Sequence, residues 1–220
     1  MLLRAAFDLD LLVDRARHEI QYGHAERTTH RNTPGDSAQF EVCNHKWTDL
    51  SEGNYGVALL NDCKYGVSTK DGRLQLSLVK CGTHPDERGD SGAHRFTYVL
   101  LPHEGGFSVE KVVRPAYELN APPRVVRHQG IPIPSGSFLR LDSPDVIIET
   151  VKQSEDGPGF VVRLYEASRS RTRAVLTLPP GVKSVAQTNM LEESPEPLPL
   201  DGGKVQLSFR PFEIKTLLVR

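Results

Sequence analysis

The chain has 220 residues, of which 38% are apolar and 25% charged, and its 27 basic and 28 acidic side chains leave a formal net charge of -1. That length suffices for one large or two small domains with real cores, and the composition lies well clear of intrinsic disorder. The charge balance supplies no field to gather nucleic acid or an anionic membrane. No apolar run approaches the roughly 18 residues a membrane-spanning helix needs, so neither kind of partner is expected.

The chain opens MLLRAAFDLDLLVDRARHE, with Asp8, Asp10 and Asp14 inside its apolar stretch. Such charges do not suit the hydrophobic region of a secretory signal. The pattern from Leu9 to Ile20 fits either an amphipathic helix capped by Asp8 or Asp10 or two short strands around Asp14. Gly56 to Leu60 is nearly all apolar and reads as a short buried strand. It lies between two polar loops, Ser51 to Tyr55 and Asn61 to Gly66. Lys70-Asp71-Gly72 then predicts a tight hairpin, because glycine takes positive φ without steric cost.

Beyond that turn the period is two. Leu74, Leu76 and Leu78 share one face; Phe96, Tyr98 and Leu100 share another; Phe160, Val162 and Leu164, then Val205, Leu207 and Phe209, repeat the pattern. Such alternation predicts strands with one buried face. Gly157-Pro158-Gly159 and Pro179-Pro180-Gly181 mark turns. The alternation changes phase at Arg210-Pro211, where a bulge, bend or break is expected because proline cannot donate to a ladder. Arg169, Arg171 and Arg173 read as a solvated turn or strand end. The fold class is therefore all-β, a large antiparallel β-sandwich of two β units with few or no helices. A proline-rich stretch with Pro115, Pro122, Pro123, Pro132 and Pro134 gives the division: a unit at 1–115, an extended connector at 116–136 and a smaller unit at 137–220.

Candidate chemistry is sparse. His18, His24 and His30 lie six apart, but no HExxH or HxH spacing is present, and no metal site is expected. Asp86 to Asp90 lacks the ligand spacing of a calcium loop. No GxSxG occurs, and no serine carries a defensible His/Asp set, so no catalytic residue is assigned. Cys63 beside Lys64 reads as a small residue at a strand end. Glu52 and Asp62 are candidate acids for glycoside chemistry, which needs two carboxyls about 5 to 9 Å apart. Cys43, Cys63 and Cys81 make no even framework and fit reduced thiols in a cytoplasmic protein. Trp47, Tyr55 and Tyr65, interleaved with Asp49, Asn54, Asn61, Asp62 and Lys64, combine flat apolar faces with short polar groups. That mixture suits a carbohydrate surface, with Trp47 and Tyr55 as stacking residues, and equally suits core and strand-end positions.

Several stretches carry a resemblance. They are Glu19 to Gly23, Glu26 to Thr33, Phe40 to Val42, His45, Trp47 to Glu52, Tyr55 to Gly66, Phe96 to Tyr98, Arg114 to Glu118, Val162 to Ala167 and Arg210 to Leu217. In order and across nearly the whole chain, they resemble the C-terminal β region of the α-mannosidases of glycoside hydrolase family 38. Thr28 departs from the proline that relatives often show. The resemblance implies strands rather than helix at Leu9 to Ile20. It further implies a zinc-dependent retaining mannosidase whose zinc ligands and aspartate nucleophile lie in an upstream catalytic domain of the same polypeptide. No residue here matches those motifs. The implied substrate is a mannose-containing oligosaccharide. The loop Asn61 to Gly66, with Asn61, Asp62, Lys64 and Tyr65, is expected to face that upstream domain or the sugar. Two other readings stay open at this point, an independent carbohydrate-binding module and a purely structural sandwich.

Overall fold

The computed structural model describes residues 2–82, 84–127, 129–130 and 135–220. Two compact units emerge, Met1–Pro123 and Arg124–Arg220. The fold is antiparallel β-sandwich throughout, with a few short helical segments.

Unit 1 contains β1 (Leu2–Asp8), β2 (Arg15–Ile20), β3 (Gly23–Thr28), β4 (Val42–Cys43), β5 (Trp47–Ser51), β6 (Tyr55–Asn61), β7 (Gly66–Lys70), β8 (Arg73–Lys80) and β9 (Tyr98–Glu104). They form two sheets, β1-β8-β7-β4 and β3-β2-β5-β6-β9. The leucines of β8 point inward as the alternation predicts, and Leu74, Leu76 and Leu78 join Leu50, Val57 and Leu59 in one core. Each such side chain contributes about 1.5–3 kcal/mol, an upper figure because the unfolded chain already hides part of it. The hairpin between β7 and β8 turns on Asp71 (φ 48°) and Gly72 (φ 75°), both left-handed, as a two-residue hairpin turn demands. Between Leu9 and Ile20 there is no helix; β1 ends at Asp8 and β2 starts at Arg15. Residues 95–97, expected to open the following strand, precede it; β9 starts at Tyr98.

The helical segments correct part of the expected connector. Between β3 and β4, α1 (Pro34–Ala38) is capped by Thr33, whose hydroxyl accepts from the Asp36 amide. After β9, a π-helical turn at Val109–Val113 runs directly into α2 (Arg114–Asn120). Pro115 stands in the first turn of α2, where its fixed φ suits the helix. Pro115, which the sequence places in the proline-rich stretch, thus stands inside a helix, and residues 116–120 are helical rather than extended. Pro122 and Pro123 follow the helix; Pro132 and Pro134 lie outside the described residues.

Val109, Val112, Val113 and Ala116 are buried, and Phe107 stacks on Trp47 with ring centroids 5.1 Å apart. This segment covers the face of β5 and β6 opposite the leucine core. Six of the seven residues of β6 are buried in consequence. A continuous apolar run such as Gly56 to Leu60 is what a strand covered on both faces requires.

Unit 2 contains β10 (Arg140–Leu141), β11 (Val146–Gln153), β12 (Phe160–Glu166), β13 (Thr172–Thr177), β14 (Val185–Thr188), β15 (Glu196–Leu198), β16 (Lys204–Phe209) and β17 (Ile214–Val219). Its sheets run β10-β13-β16 and β11-β12-β17-β14-β15. Val162, Leu164, Leu176, Val205, Leu207, Phe209 and Leu217 fill the space between them. The phase change at Arg210-Pro211 is a crossing from one sheet to the other. β16 ends at Phe209, and a turn with Phe212 at φ 58° delivers β17 to the five-stranded sheet.

Candidate functional site

The loop after β6 is built around Asn61, which is fully buried. Its Nδ2 donates to the His45 carbonyl at 2.9 Å, and its Oδ1 accepts from the Lys64 amide at 2.7 Å. Its own amide donates to the Lys46 carbonyl, and its carbonyl accepts from Asn120 Nδ2 at 3.0 Å. The side chain thus ties the turn to the residues leading into β5, and the backbone carbonyl ties it to α2. Both oxygens of Asp62 accept from the Thr97 amide, at 3.0 and 2.9 Å. Partial desolvation pushes the Asp62 carboxyl up, but hydrogen bonds from the Cys63 thiol and the Thr97 amide outweigh it and hold it below the usual carboxylate range. The Cys63 thiol is pushed up in return, by that bond to Asp62 and then by desolvation.

The exposed side of the loop is aromatic and cationic. Lys64 Nζ stands 5.0 Å from the centroid of Phe96. Phe96 stacks on Tyr98, and Tyr98 meets Phe7 of β1 edge-on at 6.0 Å. Tyr65, 52% exposed, packs beside His45. β1 and β9 are end strands of their sheets, and Leu2, Leu3, Tyr98, Val99 and Leu100 are exposed along them. The contacts from Lys64 through Phe96 and Tyr98 to Phe7 therefore make an aromatic border, with Leu100 exposed two residues on from Tyr98. Its members Phe96, Tyr98 and Leu100 carried the alternation signal in the sequence, but that signal did not tell which strands would be terminal.

The other expected residues are dispersed. Trp47 is 1% exposed; Phe107 covers its face, and His24 packs beside it at 5.8 Å. Stacking a sugar on Trp47 would mean displacing Phe107, so its expected role is corrected to that of a core residue. Phe107 carried no sequence signal for this contact. Tyr55, 42% exposed, opens β6, whereas Tyr65 lies beyond its far end. Seven residues of strand separate them by roughly 20 Å. Glu52 and Asp62 flank the same strand and cannot act on one glycosidic bond. Glu52 Oε1 instead accepts from the Leu12 amide at 2.6 Å.

Under the helical cover lies a polar cluster. His103 Nε2 contacts Asp49 Oδ1 at 2.8 Å with both side chains buried, and Ser51 Oγ donates to the other Asp49 oxygen. The His103 ring crosses the backbone of Gly56 to get there; a Cβ on Gly56 would fall 2.4 Å from it. The bond to Asp49 raises the His103 pKa against the opposing effect of burial. Glu19, raised by burial, is partly restored by Lys46, whose Nζ lies 2.9 Å away. On the other face of the sheet, His18 meets Thr48 Oγ1 at 3.0 Å and is pulled down to about 3 by burial and then by Arg27. His18 and Glu19 are successive strand residues and point to opposite faces, and His24 pairs across from Glu19. The histidines therefore do not converge. Among the described residues no three His, Cys, Asp or Glu side chains are grouped to hold a metal ion.

Residues 1–88 match the family described as Glycosyl hydrolases family 38 C-terminal domain, and residues 145–217 match the Glycosyl hydrolases family 38 C-terminal beta sandwich domain. The chain is 42% identical over 224 residues to Alpha-mannosidase 2C1 of Homo sapiens, covering 99% of this chain and 21% of that protein. It is 41% identical over 225 residues to Alpha-mannosidase G of Dictyostelium discoideum, covering 98% and 20%. It thus spans about a fifth of the length of the curated relatives it matches. In fold it resembles the crystal structure of an alpha-mannosidase from Enterococcus faecalis V583, with a TM-score of 0.76 at 22% identity over 99% of this chain and 25% of the other.

Proposed function

The chain belongs to glycoside hydrolase family 38, of which it carries the C-terminal region, and from that premise we propose that it is the non-catalytic β portion of a zinc-dependent, retaining α-mannosidase of the cytoplasm. The observation that carries this reading is the 42% identity to a named α-mannosidase along 99% of the chain. The substrate on this reading is a mannose-containing oligosaccharide. The nucleophile, the acid and the zinc ion belong to an upstream catalytic domain of the same polypeptide. On this reading no chemical step is assigned to this chain.

Its role is to pack against that domain through the border made by Asp62, Lys64, Tyr65, Phe96 and Tyr98. Isolated domains rarely leave contiguous apolar surface without a partner. Asn61, buried and fully bonded, sets the loop's shape from beneath rather than meeting a partner itself. Among the described residues Cys43, Cys63 and Cys81 form no disulfide, which suits a reducing compartment. The burial of Trp47 weighs against an independent sugar-binding module built on Trp47 and Tyr55.

The test is hydrolysis of p-nitrophenyl α-mannoside by the full-length parent and by the 220-residue chain. Activity in the parent alone supports the reading, and Tyr65→Ala in the parent should lower it. Turnover by the isolated chain, or an inert parent loaded with zinc, overturns it.

A further inference from the structure

Unit 2 carries a groove that the reading above leaves unused. It runs over the outer face of β13 and β16, is open to solvent with a volume of about 760 Å³, and is lined by Arg140, Asp142, Val175, Thr177, Lys204 and Gln206. Pro199 and Asp201 close its far rim. A second hollow of about 410 Å³ continues along the same strands to Arg173 and Ser208. The register lays these residues out in rows: Thr177 opposite Lys204, Val175 opposite Gln206, Arg173 opposite Ser208, with Arg140 beside Thr177. Successive rows are about 7 Å apart, the reach of one pyranose with its hydroxyls.

Two features separate this face from an ordinary wet sheet surface. It is walled on both sides, by Arg140 and Asp142 and by Pro199 and Asp201. Its hydrogen-bonding capacity is also unspent. Among the described residues, the side chains of Arg140, Arg173, Asp201, Lys204 and Gln206 form no hydrogen bond or ion pair, although both signs of charge share the groove. Asp142 is fixed at the rim by accepting from the Val175 amide at 2.7 Å through one oxygen, which leaves the other to accept from a ligand.

We propose that this groove binds a neutral oligosaccharide chain. Donors (Arg140, Arg173, Lys204), acceptors (Asp142, Asp201) and groups that do both (Thr177, Gln206, Ser208) all line it, as a run of hydroxyls requires, and Val175 and Pro199 offer apolar contact for ring C–H faces. Three cationic and two anionic side chains nearly cancel, which argues against a polyanion. Among the described residues no aromatic side chain lines it, so binding is weak, in the range of about 0.1 to 10 mM. The function proposed above enters only in the choice of probe, a mannotriose.

The experiment is titration of the 220-residue chain followed by backbone amide NMR, with mannotriose, a glucose trisaccharide and inorganic phosphate as probes. The proposal expects saturable shifts confined to β13, β16 and their rims with a trisaccharide. It expects about tenfold weaker binding in the double variant Lys204→Ala, Gln206→Ala, and unchanged affinity in Tyr65→Ala. The two groove positions are exposed, and an unchanged far-UV spectrum confirms that the variant is folded. No saturable shift by about 20 mM trisaccharide overturns the proposal. So does equal binding by the double variant, shifts centred elsewhere, or preference for phosphate. A parent active on mannosides whose C-terminal chain ignores mannotriose sinks the groove alone. Sugar binding by the chain beside an inert parent sinks only the assignment of activity.

Discussion

Unit 1 holds His18, Glu19, Thr48, Asp49 and Asn61 in its interior at 2% exposure or less, whereas the interior of unit 2 is made by Val162, Leu164, Leu176, Val205 and Leu217, with Glu166 as the one fully buried carboxylate among its described residues. The strands of both units alternate. In β16 the polar alternates Lys204, Gln206 and Ser208 stay in water, as a two-layer sandwich allows. In β5 the corresponding residues, Trp47 and Asp49, are roofed by Phe107 and the helical segment. A third layer laid on a sheet turns its wet face into an interior, and each polar group there needs a partner. Asp49 finds His103 and Ser51, and Glu19 finds Lys46.

The sharpest way to break this comparison is to remove the anchor of the roof. Trp47→Ala should cost about 4 kcal/mol, read as a lower urea midpoint for unit 1 with the unit 2 transition unmoved. A loss below about 1 kcal/mol would mean that the roof contributes little.

Unit 2 offers the complementary test. Glu166 accepts from the amides of Ser168, Arg169 and Phe212 at 2.8, 3.0 and 3.0 Å, tying two turns together. Glu166→Ala strands three donors and should cost about 3 kcal/mol, confined to unit 2. A shift of both transitions equally would show that the two units unfold as one.

Acid should separate the units next. The folded His18 has a pKa of about 3 against 6.5 for the free group, so between those values the unfolded chain binds the extra proton. The stability this gives is complete above 6.5 and is lost as the pH falls toward 3. At about pH 5 the loss amounts to about 2 kcal/mol. His103 and Glu19, both raised, act in the opposite sense: His103 stabilises below 6.5, and Glu19 is relieved by protonation. The difference between wild type and His18→Gln across this range isolates the His18 part. Parallel acid limbs in the two proteins would remove His18 from the account.

The smallest effect belongs to the exposed border. Tyr65→Ala should change the stability of the chain by less than about 0.5 kcal/mol. A larger loss would make Tyr65 a structural residue and weaken its assignment to a partner domain.

Much of the sandwich was legible in the sequence because alternation reports directly on which side of a strand is buried. Leu74, Leu76 and Leu78, and the crossing between sheets at Arg210-Pro211, stood where that logic put them. The helical roof was not legible, since Pro115 reads identically as a breaker and as a first-turn residue until its neighbours are known. Missing the roof meant missing the fate of Trp47, because its partner Phe107 lies 60 residues away with no local pattern to join them. The loop after β6 was half legible. Its polar richness signalled dense hydrogen bonding, but which side chains look inward depends on contacts from β5 and α2 that no local window contains.

Asn61 donates through its side-chain nitrogen to the His45 carbonyl ahead of β5 and accepts through its side-chain oxygen from its own turn, and no other side chain of that shape does both. Asn61→Asp would set a carboxylate oxygen 2.9 Å from the His45 carbonyl in place of a donor. A change that keeps the volume of the side chain should therefore loosen the loop by turning one attraction into a repulsion.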